Sequence, residues 1–311
     1  MSNPEIIPPS ISPESVPFHA PNTVFRGRNG IRAGWRALIF IAIVGALLTL
    51  VSIVVVPLAH GRLSALNELT PAGLALSEGS IFLLTAIPAL IMSRIEHRKF
   101  SQYGLPLRHA FQQYFWVGSL VGFLAISLCL FLILLFRGFH LTGLSIHGTT
   151  IFTAMFKWGM AFIVVGLAEE FSFRGYLQYT LTTGMGFWPS AILLSALFGF
   201  AHASNPGESK AGLLCVVLFG LLFCLFLRRT GNLWWAVGFH AGWDWGQTFF
   251  YGVPDSGITA TNSLFNSTFS GPNWLTGGTV GPEASVFAPI TLLVVAIWFG
   301  RHYGESRYQA K

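Results

Sequence analysis

The chain has 311 residues, of which 53% are hydrophobic and only 10% charged, with 29 Phe and 10 Trp, and its mean hydropathy is +0.61. An average soluble chain carries roughly 25% charged residues. Too few charges are present here to cover a water-facing globule, which excludes an ordinary soluble enzyme. The net charge of +6 does not indicate a nucleic-acid partner, because Lys and Arg are scattered singly or in short clusters without forming a basic face.

Taken in chain order, residues 1–30 are expected as a disordered cytoplasmic tail. Six prolines (Pro4, Pro8, Pro9, Pro13, Pro17 and Pro21) fall there among Ser, Asn and Glu. No secretory signal pattern opens the chain, so the first span is expected to be uncleaved. Residues 31–311 form the expected membrane domain. A crossing takes about 20 apolar residues, and that ruler predicts eight spans near 36–57, 74–93, 114–136, 151–173, 187–203, 211–227, 233–251 and 284–300. The fold class is an all-α polytopic membrane helix bundle. Cys129, Cys215 and Cys224 lie inside apolar stretches and are odd in number, as expected of buried free thiols.

Orientation follows from the basic residues. A cytoplasmic N-terminus puts Arg26, Arg28, Arg32, Arg36, Arg94, Arg98, Lys99, Arg108, Arg174, Arg228, Arg229, Arg301, Arg307 and Lys311 on or near the cytoplasmic side, 14 of 18. Arg62, Arg137 and Lys210 fall on the other side, and Lys157 sits within the outer part of span four. This is the positive-inside pattern, with both termini cytoplasmic. The longest loop, 252–283, contains no Lys or Arg and is expected on the outer face.

Charges in hydrocarbon cost roughly 2.5–3.5 kcal/mol each on insertion scales, so each one at depth is a functional hypothesis. Three acids qualify: Glu169 and Glu170 late in span four, and Asp244 in span seven. His202 and His240 join them. Spans four and five are expected as a helical hairpin turning at 182–186; Glu169 lies 15 residues before Gly184 and His202 lies 16 after Gly186. At about 1.5 Å per residue the two are level. His240 and Asp244 share a helix face at a spacing of four, as do Glu170 and Arg174. The Glu170–Arg174 pair is expected as structural support. Glu78 is expected to mark the outer start of span two, and Glu283 to cap the last span.

Such a set activates water. Glu169 accepts a proton from a water held by His202, and His240 donates to a developing oxyanion, with Asp244 setting its tautomer or its charge. Alternatively, Glu169, His202 and His240 supply the two-His-one-Glu set of a catalytic zinc. The spacing leaves a protein-held and a metal-held water equally open.

At these residues three motifs stand in order: EExxxR at Glu169–Arg174, FxxxH at Phe198–His202 and HxxxD at His240–Asp244. They resemble those of the CAAX protease and bacteriocin-processing family of intramembrane endopeptidases, whose eukaryotic members trim prenylated CAAX proteins. The resemblance covers about residues 150–250. It implies an eight-helix membrane endopeptidase in which Glu169 and His202 activate water and His240 with Asp244 forms the oxyanion site. It further implies that Glu170 and Arg174 hold the first glutamate's helix. The last position is often Asn in the CAAX-processing members and is Asp244 here. The implied partners are the bilayer and a membrane-associated or lipidated peptide, in a bacterial plasma membrane. A non-catalytic membrane scaffold or immunity protein is the alternative, and a proton relay or transporter is a third reading, which internal repeats would favour.

Overall fold

The structure is a computed structural model that describes residues 23–27, 30–55, 70–205 and 207–310. Most of the expected tail lies outside the described residues, as do Arg28, Arg62, Lys311 and the loop after the first span.

The long helices are α1 (Ala33–Leu50), α2 (Pro71–Ile95), α3 (Gln113–Leu135), α4 (Thr149–Arg174), α5 (Tyr176–Met185), α6 (Phe187–Ala201), α7 (Lys210–Thr230), α8 (Trp234–Asp244) and α9 (Phe287–His302). Their starts are locally encoded. Thr70 caps α2, its side chain accepting from the Gly73 amide at 3.1 Å, with Pro71 in the first turn. Ser209 caps α7 in the same way, accepting from Gly212 at 3.0 Å. Large apolar side chains remain on the flanks, among them Phe156 at 68% and Phe200 at 77% exposure. A surface of that kind is matched to lipid rather than to water.

Among the described residues, six helical segments are long and apolar enough to cross a membrane, so the expected count of eight is not reached by length and composition. The last two expected spans are short. α8 has 11 residues and then widens into a six-residue π-helical turn, Trp245–Phe250. α9 has 16, because Pro282–Ala284 form a 3-10 turn before it. A further difference concerns span four. The helix breaks at Gly175, and α5 continues the descent before the chain turns at Gly186.

The two ends of the bundle differ. At one, Arg36 from the start of α1 pairs with Glu96 after α2 at 2.6 Å and donates to Thr183 of α5 at 2.5 Å. Beside them Arg307, beyond α9, donates to Tyr114 at the start of α3 at 3.0 Å, and its amide bonds the Arg228 carbonyl in the last turn of α7. At the other end a two-stranded antiparallel ladder joins β1 (Phe139–Leu144) to β2 (Phe265–Phe269), with a register shift between Leu141 and Gly143. This ladder was not anticipated from the all-α pattern. It anchors the 252–283 loop over that end.

The core is densest where α3 packs along α8. Gly118 and Gly122 of α3 face Gly238 and Gly242 of α8. A Cβ at Gly122 would strike the Phe239 carbonyl, and one at Gly242 the Ser119 carbonyl. Small residues spaced by four let membrane helices approach at backbone distance. This contact fixes α8, and with it the opposite face carrying His240 and Asp244. The three cysteines are free and buried.

Candidate active site

Arg174, at the last residue of α4, sets the level of the site. Its guanidinium lies 4.2 Å from the Phe198 ring of α6 and fills the space opposite Gly220 of α7, where a Cβ would come within 2.5 Å of it. From that level Glu169 is five residues back along α4 and His202 four ahead on α6. Both stand one further turn toward the loop end, about 7 Å higher. α4 therefore ends in mid-bundle, and the descent of α5 explains why residue counting through the hairpin brings Glu169 and His202 level.

Both residues line a cavity of about 510 Å³, together with His240 and Asp244. No ion pair within 4.0 Å joins Glu169 to His202 among the described residues; they meet across the cavity. The His202 Nδ1 lies 2.9 Å from the Phe198 carbonyl. A carbonyl only accepts, so Nδ1 carries a hydrogen, which in the neutral ring leaves Nε2 as the acceptor.

His240 is surrounded by carboxylates. Its Nδ1 lies 3.0 Å from Glu170 Oε1, and its Nε2 lies 3.7 Å from Glu169 Oε2 and 3.4 Å from Asp244 Oδ2. Glu170, fully buried, is thus held by His240 as well as by Arg174 Nη1 at 3.5 Å. The hydrogen-bonding partner of Nδ1 is Glu170, while Asp244 faces the other nitrogen. A stacked Phe223 ring, 5.2 Å away, covers one face of the imidazole. α8 comes this close to α4 because Gly166 leaves room: a Cβ there would lie 2.9 Å from the Val237 carbonyl.

Glu169, His202 and His240, the zinc set considered from sequence, line one cavity without forming a ligand cluster. Among the described residues no group of three or more His, Cys, Asp or Glu side chains is arranged to hold a metal ion. Three of the four imidazole nitrogens point at protein oxygens instead. The geometry therefore provides no ligand sphere through which a step could be derived.

Three further acids line the same cavity: Glu78, Asp255 and Glu283. Glu78 corrects its expected place. It stands in the second turn of α2, yet its carboxyl faces the cavity, and Oε2 is buried without a hydrogen-bond partner. The signal was present in the sequence, since it is the only charge between Pro71 and Ser93. Glu283 does not cap α9, which has Val286 at its N-cap and no side-chain cap. It accepts from the Ser256 amide at 3.1 Å and faces Asp255, which accepts from Thr248 Oγ1 at 2.8 Å. Burial pushes both carboxyls above the usual range; proximity to Asp255 adds to the effect at Glu283, and the Thr248 hydroxyl offsets part of it at Asp255.

Residues 151–246 match the family described as Type II CAAX prenyl endopeptidase Rce1-like. The matched segment, about a third of the chain, coincides with the region of resemblance and contains all three motifs. Glu78, Asp255 and Glu283 lie outside it. No curated protein matches the chain.

Proposed function

We propose that the protein is an intramembrane endopeptidase that hydrolyses a peptide bond of a membrane-associated substrate with a protein-held water. The observation that carries this reading is the convergence of Glu169, His202, His240 and Asp244 on one cavity, within the segment that matches an endopeptidase family. Glu169 takes a proton from water as the water oxygen attacks the scissile carbonyl, and the lone pair on His202 Nε2 orients the same water. The carbonyl oxygen becomes an oxyanion beside His240. Donation from Nε2 requires the doubly protonated ring, a charge that Glu170, Glu169 and Asp244 surround. Collapse of the tetrahedral intermediate breaks the C–N bond, and Glu169 returns its proton to the leaving amine. Asp244, close to Nε2 in the resting site, holds His240 and yields that nitrogen to the oxyanion.

Quantitative proteomics of new protein termini, in membranes bearing wild type or Glu169→Gln, tests this reading. Termini generated by the wild type should fall by about 10²–10⁴-fold in the variant, the contribution of a positioned general base. Activity of the purified protein should also survive removal of divalent metal by a chelator. Equal cleavage by Glu169→Gln would overturn the mechanism, and membranes bearing the wild type that gain no new termini over membranes lacking the protein would leave a non-catalytic scaffold of the same fold.

A further inference from the structure

The charge distribution and the position of the cavity are independent observations, and together they give the site a side. Of the 15 described Lys and Arg residues, Arg137, Lys157 and Lys210 lie in the half toward the loop end, and Arg174 is in the interior. The remaining 11 cluster at the opposite end, where α1, α3, α6 and α8 start and α2, α7 and α9 finish. Basic residues of short loops and helix ends mark the cytoplasmic side.

The cavity lies in the other half. Its walls come from the first turns of α2 (Leu74, Glu78), the segment just past α6 (His202, Asn205) and the 252–283 loop (Asp255, Ile258). Phe198, at the level of Arg174, is already 11 residues into α6 from the basic end, about 16 Å at 1.5 Å per residue. Between that level and the basic end the bundle is filled. Tyr176, Tyr179, Cys224, Leu227 and Trp234 belong to one packed cluster there, each at most 3% exposed. No Lys or Arg lines the cavity among the described residues. Water and peptide thus reach Glu169 and His202 from the loop end, whereas the basic end is sealed.

We propose that the cavity opens to the extracytoplasmic side of the membrane, and that the protein acts on the extracytoplasmic, juxtamembrane stretch of a membrane-anchored peptide. The statement about the substrate rests on the peptidase reading above; the statement about the opening does not. An occupant of this kind differs in compartment from a cytoplasmic prenylated C-terminus, and the sealed basic end leaves such a C-terminus no path to the site.

Single-cysteine reporters separate the two statements. Cys129, Cys215 and Cys224 are each at most 4% exposed, so the native chain offers little background to a membrane-impermeant maleimide. Ile258→Cys reports the cavity mouth, where Ile258 is 37% exposed, and Glu305→Cys reports the exposed basic end. In right-side-out vesicles the maleimide should label Ile258→Cys, with loss of labelling at Glu305→Cys; inside-out vesicles should reverse the pattern. The opposite pattern, or equal labelling of both positions, overturns the proposed opening. In a second arm, the termini that depend on Glu169 are mapped onto their parent proteins. Sites on the extracytoplasmic side of an anchor are expected, and cytoplasmic sites overturn the substrate assignment. If no terminus depends on Glu169, the peptidase reading and the substrate assignment fall together, and the labelling result still decides the opening.

Discussion

Glu170 shows how one buried side chain serves two elements. It closes an i,i+4 pair with Arg174 on its own helix and reaches across to His240 on α8. Removing it leaves a buried guanidinium without its counter-charge and an imidazole without its Nδ1 acceptor. Glu170→Ala should therefore cost about 3–5 kcal/mol of stability, the usual penalty for an orphaned buried charge. Thermal unfolding in detergent measures that loss. Replacing Arg174 by Met in the same chain should recover part of it, because the uncompensated cation is then gone. At this scale the sequence was informative about identities and less so about pairings. Glu170 and Arg174 are four apart and pair locally, which helix geometry alone foresees. The Glu170–His240 bond spans 70 residues, and no local rule reaches that far. Glu78 is expected from sequence to mark the outer start of span two; its direction around α2 depends on where α4 sits.

Among the elements, the contact between α3 and α8 positions the site. Glycines four apart are visible in each helix, at Gly118 and Gly122 and at Gly238 and Gly242, but the spacing does not say that these two helices meet. Gly242→Ala would push a methyl group into the Ser119 carbonyl and should destabilise the bundle by about 1–3 kcal/mol through overpacking. Because α8 carries His240 and Asp244, activity should fall with stability. Gly45→Ala on α1, where an added Cβ meets nothing within 4 Å, is the matched control and should be tolerated. Comparing the thermal midpoints and cleavage rates of the two variants checks this. The break at Gly175 has a similar standing. Counting residues from Glu169 to the expected turn at 182–186 treats the descent as one helix of a hairpin. In the structure the descent is divided into α4 and α5, which leaves Arg174 inside the bundle.

For the whole molecule, the 252–283 loop completes the cavity. Asp255 and Glu283 face each other there, linking the segment after α8 to the start of α9. Both carboxyls are raised above their ordinary values of 3.8 and 4.5, first by burial. The folded protein therefore holds protons that the unfolded chain would release. The stability from this pair is fully present below about pH 4 and is lost as pH rises through the raised folded-state values. Glu283→Gln, which cannot ionise, should flatten that part of the dependence of the thermal midpoint on pH. An unchanged slope would show that burial beside Asp255 does not hold a proton on Glu283.

Composition alone settled the solvent of this protein, since 10% charge leaves lipid as the only surface that its apolar flanks can face. Local spacing then placed the helices and singled out Glu169, His202, His240 and Asp244, because four-residue intervals and span depth are properties of single helices. Tertiary structure decided what those residues share. It brought Glu78, Asp255 and Glu283 from outside the matched segment into one cavity, tied His240 to Glu170 and closed the basic end. The division has a physical cause. Helix formation and membrane insertion are governed by runs of neighbouring residues, whereas the direction of a side chain into a common space depends on which helix faces meet, and here that is fixed by backbone approach at glycines far apart in the chain.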